Sequence, residues 1–297
     1  MIAREHIGAR IIFRKGAAIP APPVPVPAGW LAARYSLVSS GTELRRLVGT
    51  ANGGDHPAGY MTVVGPPGGE QRLVPVPHGA AAKPDDQRSL PIPAATRPEH
   101  VAVARFQVMA ALGLERWTSY CLAHEAVVVV GGGPVAVGCV LELKRLGVAH
   151  VLVVTCHPQP AVADLPDVTV VTQSPPGDPT HSVVIDCTGR SAQALEMVAP
   201  GGLLGLLGTA ADEADLSSAA VHRRGVAVVG MHELAGHSNE SRQAMFQTVL
   251  QLVTIAIDID ARRGWFATVP GEQAGRFYAA LVSAQRPTPP FAILEWS

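Results

Sequence analysis

Apolar positions along this chain gather into short runs without polar alternation. The clearest is Val127-Val128-Val129-Val130, followed at once by Gly131-Gly132-Gly133-Pro134-Val135-Ala136-Val137-Gly138. Four β-branched residues in a row predict a strand covered on both faces, and the glycines fall where the chain must turn sharply into a helix. That helix is predicted to end near Gly147, before a second apolar run from Val151 to Val154. Val168–Val171, Ser182–Asp186, Leu203–Leu207 and Val226–Val229 are further runs of this kind, each closed by glycine or a small polar residue, and Ala192 to Val198 supplies a crossover helix. Strands alternating with helices in this way predict a doubly wound parallel sheet of about six strands.

The two ends of the chain have a different texture. Residues 8–14 and 30–38 read as strands, separated by the proline-rich segment Ala18 to Gly29, where prolines forbid helix and favour an extended connection. Tyr35 to Gly49 predicts a strand that turns into a short helix, with Glu43 near the helix's positive end. Pro57 to Pro66 reads as a turn and a strand, and residues 72–99 as loop with short strand pieces. A helix over Val101–Leu114 leads into the α/β region. Beyond that region, Ser238–Ile257 predicts a long helix, and Trp265 to Trp296 returns to strand, helix, strand. Because this tail resumes the character of the opening, it is expected to join it. The fold class expected is α/β, with a β-rich domain made from residues 1–103 and 234–297 and a Rossmann-type domain made from 104–233.

The spacing Gly131, Gly133, Ala136 fits the G-x-G-x-x-G/A fingerprint, in which the first glycine makes the turn, the second admits a pyrophosphate to backbone N–H groups, and the third position keeps helix and strand close. The expected cofactor contacts are therefore Gly131, Gly133, Pro134, Val135 and Ala136 in the turn, Thr155 and His157 after the second strand, and Thr188 and Gly208 after two later strands. An acidic residue at the end of the second strand would accept hydrogen bonds from the ribose of NAD and repel a 2′-phosphate. Thr155 stands there instead, so NADP(H) is favoured over NAD(H), although no arginine follows directly to clamp the phosphate. Asp164, further on, reads as a solvated loop residue.

Composition narrows the class without changing the fold. The 297 residues carry a formal charge of −1 with a pI near 6.8, which gives no electrostatic reason to expect nucleic acid or an anionic membrane as partner. The first residues lack the basic and apolar regions of a signal peptide, and the longest apolar runs fall short of a membrane span, so a cytoplasmic location is expected. Cys121, Cys139, Cys156 and Cys187 are scattered singly and read as reduced core thiols. The 11 histidines are dispersed and read mostly as surface residues.

The sequence of motifs now resembles a known family. A proline-rich β lobe, Ser39-Ser40-Gly41-Thr42-Glu43, Gly59-Tyr60, the Val-Val-Gly-Gly-Gly-Pro-Val turn, Val184-Ile185-Asp186-Cys187-Thr188-Gly189, Pro200-Gly-Gly-Leu-Leu and a terminal strand-helix-strand together resemble the medium-chain dehydrogenase/reductase superfamily over nearly the whole chain. Ser39–Glu43 together with His237-Ser-Asn-Glu-Ser-Arg242 is most similar to its zinc-lacking branch, which includes bacteriochlorophyllide dehydrogenases and similar oxidoreductases of bacterial pathways. The resemblance implies a GroES-like catalytic lobe built from both chain ends, a Rossmann lobe between them, a nicotinamide cofactor, and a homodimer formed through the last Rossmann strand.

The departures from that family are as informative. Its zinc-dependent members place a cysteine at the Ser40 position and a histidine at the Tyr60 position, and carry a four-cysteine structural zinc lobe, whereas no cysteine occurs here before Cys121. A serine and a tyrosine do not replace thiolate and imidazole, so no metal is expected. Polarising a carbonyl then falls to hydrogen-bond donors, and Tyr60 as general acid with Ser40 as second donor are the candidate catalytic residues. Packing with a satisfied hydroxyl is the structural alternative for Tyr60, and Glu43 reads as a helix-start residue. His232, His237, Asn239 and Arg242 follow the last Rossmann strand, where they would reach a substrate or form a solvated helix start. The function implied is a zinc-independent NAD(P)-dependent oxidoreductase that passes hydride between nicotinamide and a small organic alcohol or ketone. An enoyl or quinone reductase, and a non-catalytic dinucleotide-binding protein, are the alternatives.

Overall fold

The computed structural model describes residues 6–51, 53–156, 161–172, 179–210, 216–283 and 289–296. The chain divides into two compact units, one formed by Met1–Val103 with Asn239–Ser297 and the other by Ala104–Ser238.

In the second unit the described strands form one parallel sheet. From edge to edge it holds Val168–Val171, His150–Val154, Ala126–Val130, His181–Asp186, Val198–Leu206 and Ala227–Gly230. This is the doubly wound order, in which chain direction across the sheet reverses beside Ala126–Val130. Val127, Val128 and Val129 are wholly buried, which is why their run carries no polar alternation. The helix after the glycine turn, Pro134–Leu146, opens with proline in its first turn and closes on Gly147 in the left-handed conformation, with Lys144 and Arg145 at its negative end. Gly138 on this helix brings it against a neighbour. A Cβ there would lie 2.4 Å from the backbone of Phe106, on the helix Pro98–Leu114.

The first unit has its own sheet, in the order Phe266–Pro270, Phe291–Glu295, Ala33–Val38, Thr62–Val64, Gln71–Val74 and Leu90–Ile92, antiparallel except for the first pair. The terminal strand Phe291–Glu295 pairs with Ala33–Val38, so the tail does join the opening of the chain. A smaller antiparallel sheet of Ala17–Pro20, Ile11–Arg14 and His56–Pro57 lies in the same unit. The core between these layers draws on both chain ends, with Ile11, Phe13, Val38, Leu47, Phe277, Tyr278, Leu281 and Trp296 packed as one cluster. The long helix is Asn239–Ala256. No described helix is long and apolar enough to cross a membrane.

One expectation, that all four cysteines are core thiols, needs correcting. Cys156 is exposed, two residues beyond the strand His150–Val154, whereas Cys121 and Cys139 are buried and Cys187 is half-buried; all four thiols are free. Two of the histidines, His78 and His100, are buried, each with a hydrogen-bond partner inside its unit.

Candidate functional site

The glycine turn begins where Val130 leaves the sheet. Gly131 has φ +125°, a conformation that favours glycine, and its N–H donates to Val154 O at 2.8 Å. A Cβ there would meet Thr188 Cγ2 at 3.2 Å. Gly133 differs from Gly131. Its backbone is extended, it caps the helix Pro134–Leu146, and a Cβ would meet nothing within 4 Å. The structure therefore has a locked glycine followed by an open one, and the space above Gly133 is where a phosphate would approach a helix N-terminus.

The other expected cofactor residues stand at the same edge of the sheet. Thr155 directly follows His150–Val154, is buried, and donates its N–H to Val171 O at 3.0 Å. Thr188 stands two residues beyond His181–Asp186, where Asp186 Oδ1 accepts bonds from both the N–H and the hydroxyl of Thr188, each at 2.7 Å, and from Gly189 N–H at 3.1 Å. Gly208 stands two residues beyond Val198–Leu206, so close to the neighbouring loop that a Cβ would lie 2.6 Å from the carbonyl carbon of Cys187. The structure thus gathers Gly131, Gly133, Pro134, Val135, Ala136, Thr155, Thr188 and Gly208 at the carboxyl edge of a parallel sheet, around the point where strand order reverses. Ligands of open α/β sheets bind at such a place. His157 lies outside the described residues. Asp164 is exposed on a loop.

Ser40 and Tyr60 belong to the first unit. Ser40 is the first residue of the helix Ser40–Gly49, and Tyr60 lies in the turn before Thr62–Val64, half-buried. The helix that Ser40 opens also packs on Tyr60, since the guanidinium carbon of Arg46 sits 5.1 Å from the centre of the tyrosine ring. Among the described residues no three His, Cys, Asp or Glu side chains converge on a metal position. Ser40 and Tyr60 offer a hydroxyl and a phenol, donors that do not fit zinc.

Beneath this helix lies a group that sequence reasoning treated only as a helix start. Glu43, His78 and Tyr278 are completely buried. Glu43 Oε1 accepts the Ser39 N–H at 2.9 Å, so the carboxylate reaches back to the helix start. Its Oε2 bonds His78 Nε2 at 2.8 Å and accepts a short hydrogen bond from the Tyr278 hydroxyl. Burial alone would push the Glu43 carboxyl up, but the charge of His78 and hydrogen bonds from His78, Tyr278 and Ser39 outweigh it and hold the carboxyl below its usual range. Burial, reinforced by the Glu43 charge and hydrogen bond, holds the Tyr278 phenol well above its usual value. No local signal marks His78, a single histidine between Pro77 and Gly79.

Of the residues after the last Rossmann strand, His237 faces inward in the second unit. Its Nε2 lies 3.2 Å from Leu112 O and its Nδ1 3.6 Å from Glu115. His232 Nδ1 accepts from Leu234 N–H at 3.2 Å, and Arg242 Nη1 donates to Asn239 Oδ1 at 3.3 Å in the first unit. Local and inward partners occupy the atoms named here.

No protein-family profile matches the chain, and no curated protein sequence does. Solved structures resemble it closely in shape. A cinnamyl alcohol dehydrogenase from Sorghum bicolor superposes with a TM-score of 0.70 at 14% identity, covering 98% of this chain and 97% of that one. Escherichia coli YhdH with bound NADPH gives 0.67 at 15%, covering 96% and 99%. Staphylococcus aureus TarJ in complex with NADPH gives 0.64 at 12%, covering 97% and 98%. The fold is that of the medium-chain dehydrogenases and reductases.

Proposed function

We propose that this chain is a zinc-independent, NAD(P)-dependent oxidoreductase acting on a small organic alcohol or ketone. The observation that carries the reading is the pairing of a closely packed Gly131 at positive φ with an unencumbered Gly133 at the N-terminus of Pro134–Leu146. A turn that merely reverses direction needs only the first of these glycines. Open space at the second suits a pyrophosphate, which fits the dinucleotide that similar folds hold in YhdH and TarJ.

A bound nicotinamide supplies or accepts the hydride. This chain's own part is to bind, orient and manage the proton. Gly131, Gly133 and the first turn of Pro134–Leu146 hold the pyrophosphate, and Thr155 leaves room for a 2′-phosphate without charge repulsion. Tyr60 holds a proton at its hydroxyl for the oxygen that gains charge, and Ser40 offers a second hydrogen bond. Arg46, over the Tyr60 ring, fixes the ring plane and favours negative charge on that oxygen. The same reading includes a homodimer, supported by the edge strand Ala227–Gly230, whose residues are exposed or half-buried.

Titrating the protein with NADPH and with NADH while following nicotinamide fluorescence tests the reading. Saturable binding with NADPH tighter is expected, and Thr155→Asp should reverse the order. No binding of either nucleotide overturns the proposal, and equal affinities overturn its NADP(H) preference. A screen of carbonyls and enones with the preferred nucleotide then decides between C=O and C=C reduction.

A further inference from the structure

The first unit contains a pocket of about 470 Å³ lined by Arg34, Tyr35, Gln71, Thr96, Glu272 and Glu295, with Trp296 as one wall. That size suits a small organic molecule. Six residues of mostly extended chain, roughly 20 Å at about 3.3 Å each, separate Arg34 from Ser40, so the pocket lies toward the other end of the strand Ala33–Val38 from the candidate catalytic serine. We propose that this pocket is a second binding site, for a small zwitterion that carries a carboxylate and an ammonium group, such as a free amino acid.

Two observations carry it. The first is the way the backbone presents Arg34. Pairing with Thr62–Val64 slips between Ala33 and Tyr35, so Arg34 is the extra residue of a β-bulge, a device that re-aims a side chain. Its guanidinium has no hydrogen bond or ion pair with any described residue.

The second observation is charge. Glu272 and Glu295 are exposed at the rim, and neither has an ion pair among the described residues. A simple anion would face two carboxylates, and a simple cation would leave Arg34 unanswered. A zwitterion places its carboxylate on Arg34 and its ammonium toward Glu272 and Glu295. Trp296 gives a firm wall. Its indole N–H donates to Ser36 Oγ at 2.8 Å, and its ring lies so close to Gly271 that a Cβ there would overlap it.

Trp296 also makes the proposal measurable. Protein labelled with fluorotryptophan, its Trp296 resonance assigned with Trp296→Phe, is titrated with a panel of L-amino acids in the millimolar range. At least one is expected to shift that resonance saturably. Its amide, lacking the carboxylate, and its N-acetyl derivative, lacking the ammonium, should each bind at least about tenfold more weakly. Arg34→Met should erase the difference between the amino acid and its amide, with the fold intact by circular dichroism. No shift with any amino acid, or unchanged binding in Arg34→Met, overturns the proposal. Nucleotide titration of the same variants is expected to match the parent, which keeps this test separate from the oxidoreductase reading.

Discussion

The imidazole of His78 lies flat against the backbone of Gly59, so close that a Cβ at Gly59 would stand 2.3 Å from ring atoms Cε1 and Nδ1. Gly59 also has φ +75°, so glycine serves there both for its backbone conformation and for the approach of the ring. Gly59→Ala must displace a completely buried histidine that is bonded to Glu43 and Tyr278. Overpacking and left-handed strain together should cost about 2–5 kcal/mol. A fall in Tm of roughly 10 °C is expected, at about 2–4 °C per kcal/mol for a chain of this size. A variant that melts with the parent would show that the ring moves aside freely.

The Glu43 carboxylate is the shared acceptor of that buried group, so its removal should matter more than its size suggests. Glu43→Ala leaves His78, Tyr278 and the Ser39 N–H without their acceptor, and breaking a buried pair of this kind typically costs about 3–5 kcal/mol. Glu43→Gln keeps an acceptor and should cost less. Because folding lowers the Glu43 pKa below its ordinary 4.5, its stabilisation is complete above that pH and is lost as pH falls through the folded value. Urea melts between pH 7 and 3 should show the parent losing stability over a range where Glu43→Gln is flatter.

The alkaline side has the opposite sign. Tyr278 is held well above its ordinary 10.0 by burial and by Glu43, Tyr35 is raised by burial and by Glu99, and the Cys121 thiol is pushed up to about 11 by burial. Groups whose folded pKa is raised contribute stability fully below their unfolded values, and that stability drains away as pH rises toward the folded ones. Chemical melts should therefore show stability declining above about pH 9 to 10, with no absorbance of ionised Tyr278 before unfolding. Tyr278→Phe should remove part of that slope.

Much of the fold was legible because it repeats locally. Val127–Val130 has no polar alternation since its successive residues are buried on both faces of the sheet, and the glycines after it mark the turn without help from distant residues. Glu43, His78 and Tyr278 were not legible as a group, because they stand 35 and 200 residues apart and meet only through tertiary packing. Arg34 was hidden for another reason. A bulge changes which way a side chain points while leaving the apolar pattern of the strand intact. Ser40 and Tyr60 entered as candidates through resemblance and position; what the structure adds is Arg46 over the Tyr60 ring.

The two glycines of the turn should separate stability from binding. Gly131→Ala forces an L side chain into φ +125° and against Thr188, so it should lower stability as well as nucleotide affinity. Gly133→Ala meets nothing, so its melting temperature should match the parent. Its methyl group would nevertheless occupy the space expected to receive a phosphate, and NADPH affinity should fall at least about tenfold. Unchanged affinity in Gly133→Ala would place the nucleotide elsewhere.

Tyr60 carries the remaining chemical claim. If its hydroxyl donates to an oxygen that gains charge as hydride moves, Tyr60→Phe removes a donor needed more in the transition state than in the ground state. Loss of one such donor typically lowers turnover about 10²–10³-fold with little change in cofactor affinity. Ser40→Ala should cost less, because the phenol still offers a proton, and the double variant should be less damaged than the product of the single effects. Arg46→Leu removes the cation over the ring while leaving the hydroxyl in place. It should lower kcat less than Tyr60→Phe does, since the donor itself remains. The measurements are kcat, KM and nucleotide Kd for the four variants on a substrate found by screening. Parental kcat in Tyr60→Phe would show that the ring is there for packing against Arg46, and would move the search for the proton donor to Ser40 and His232.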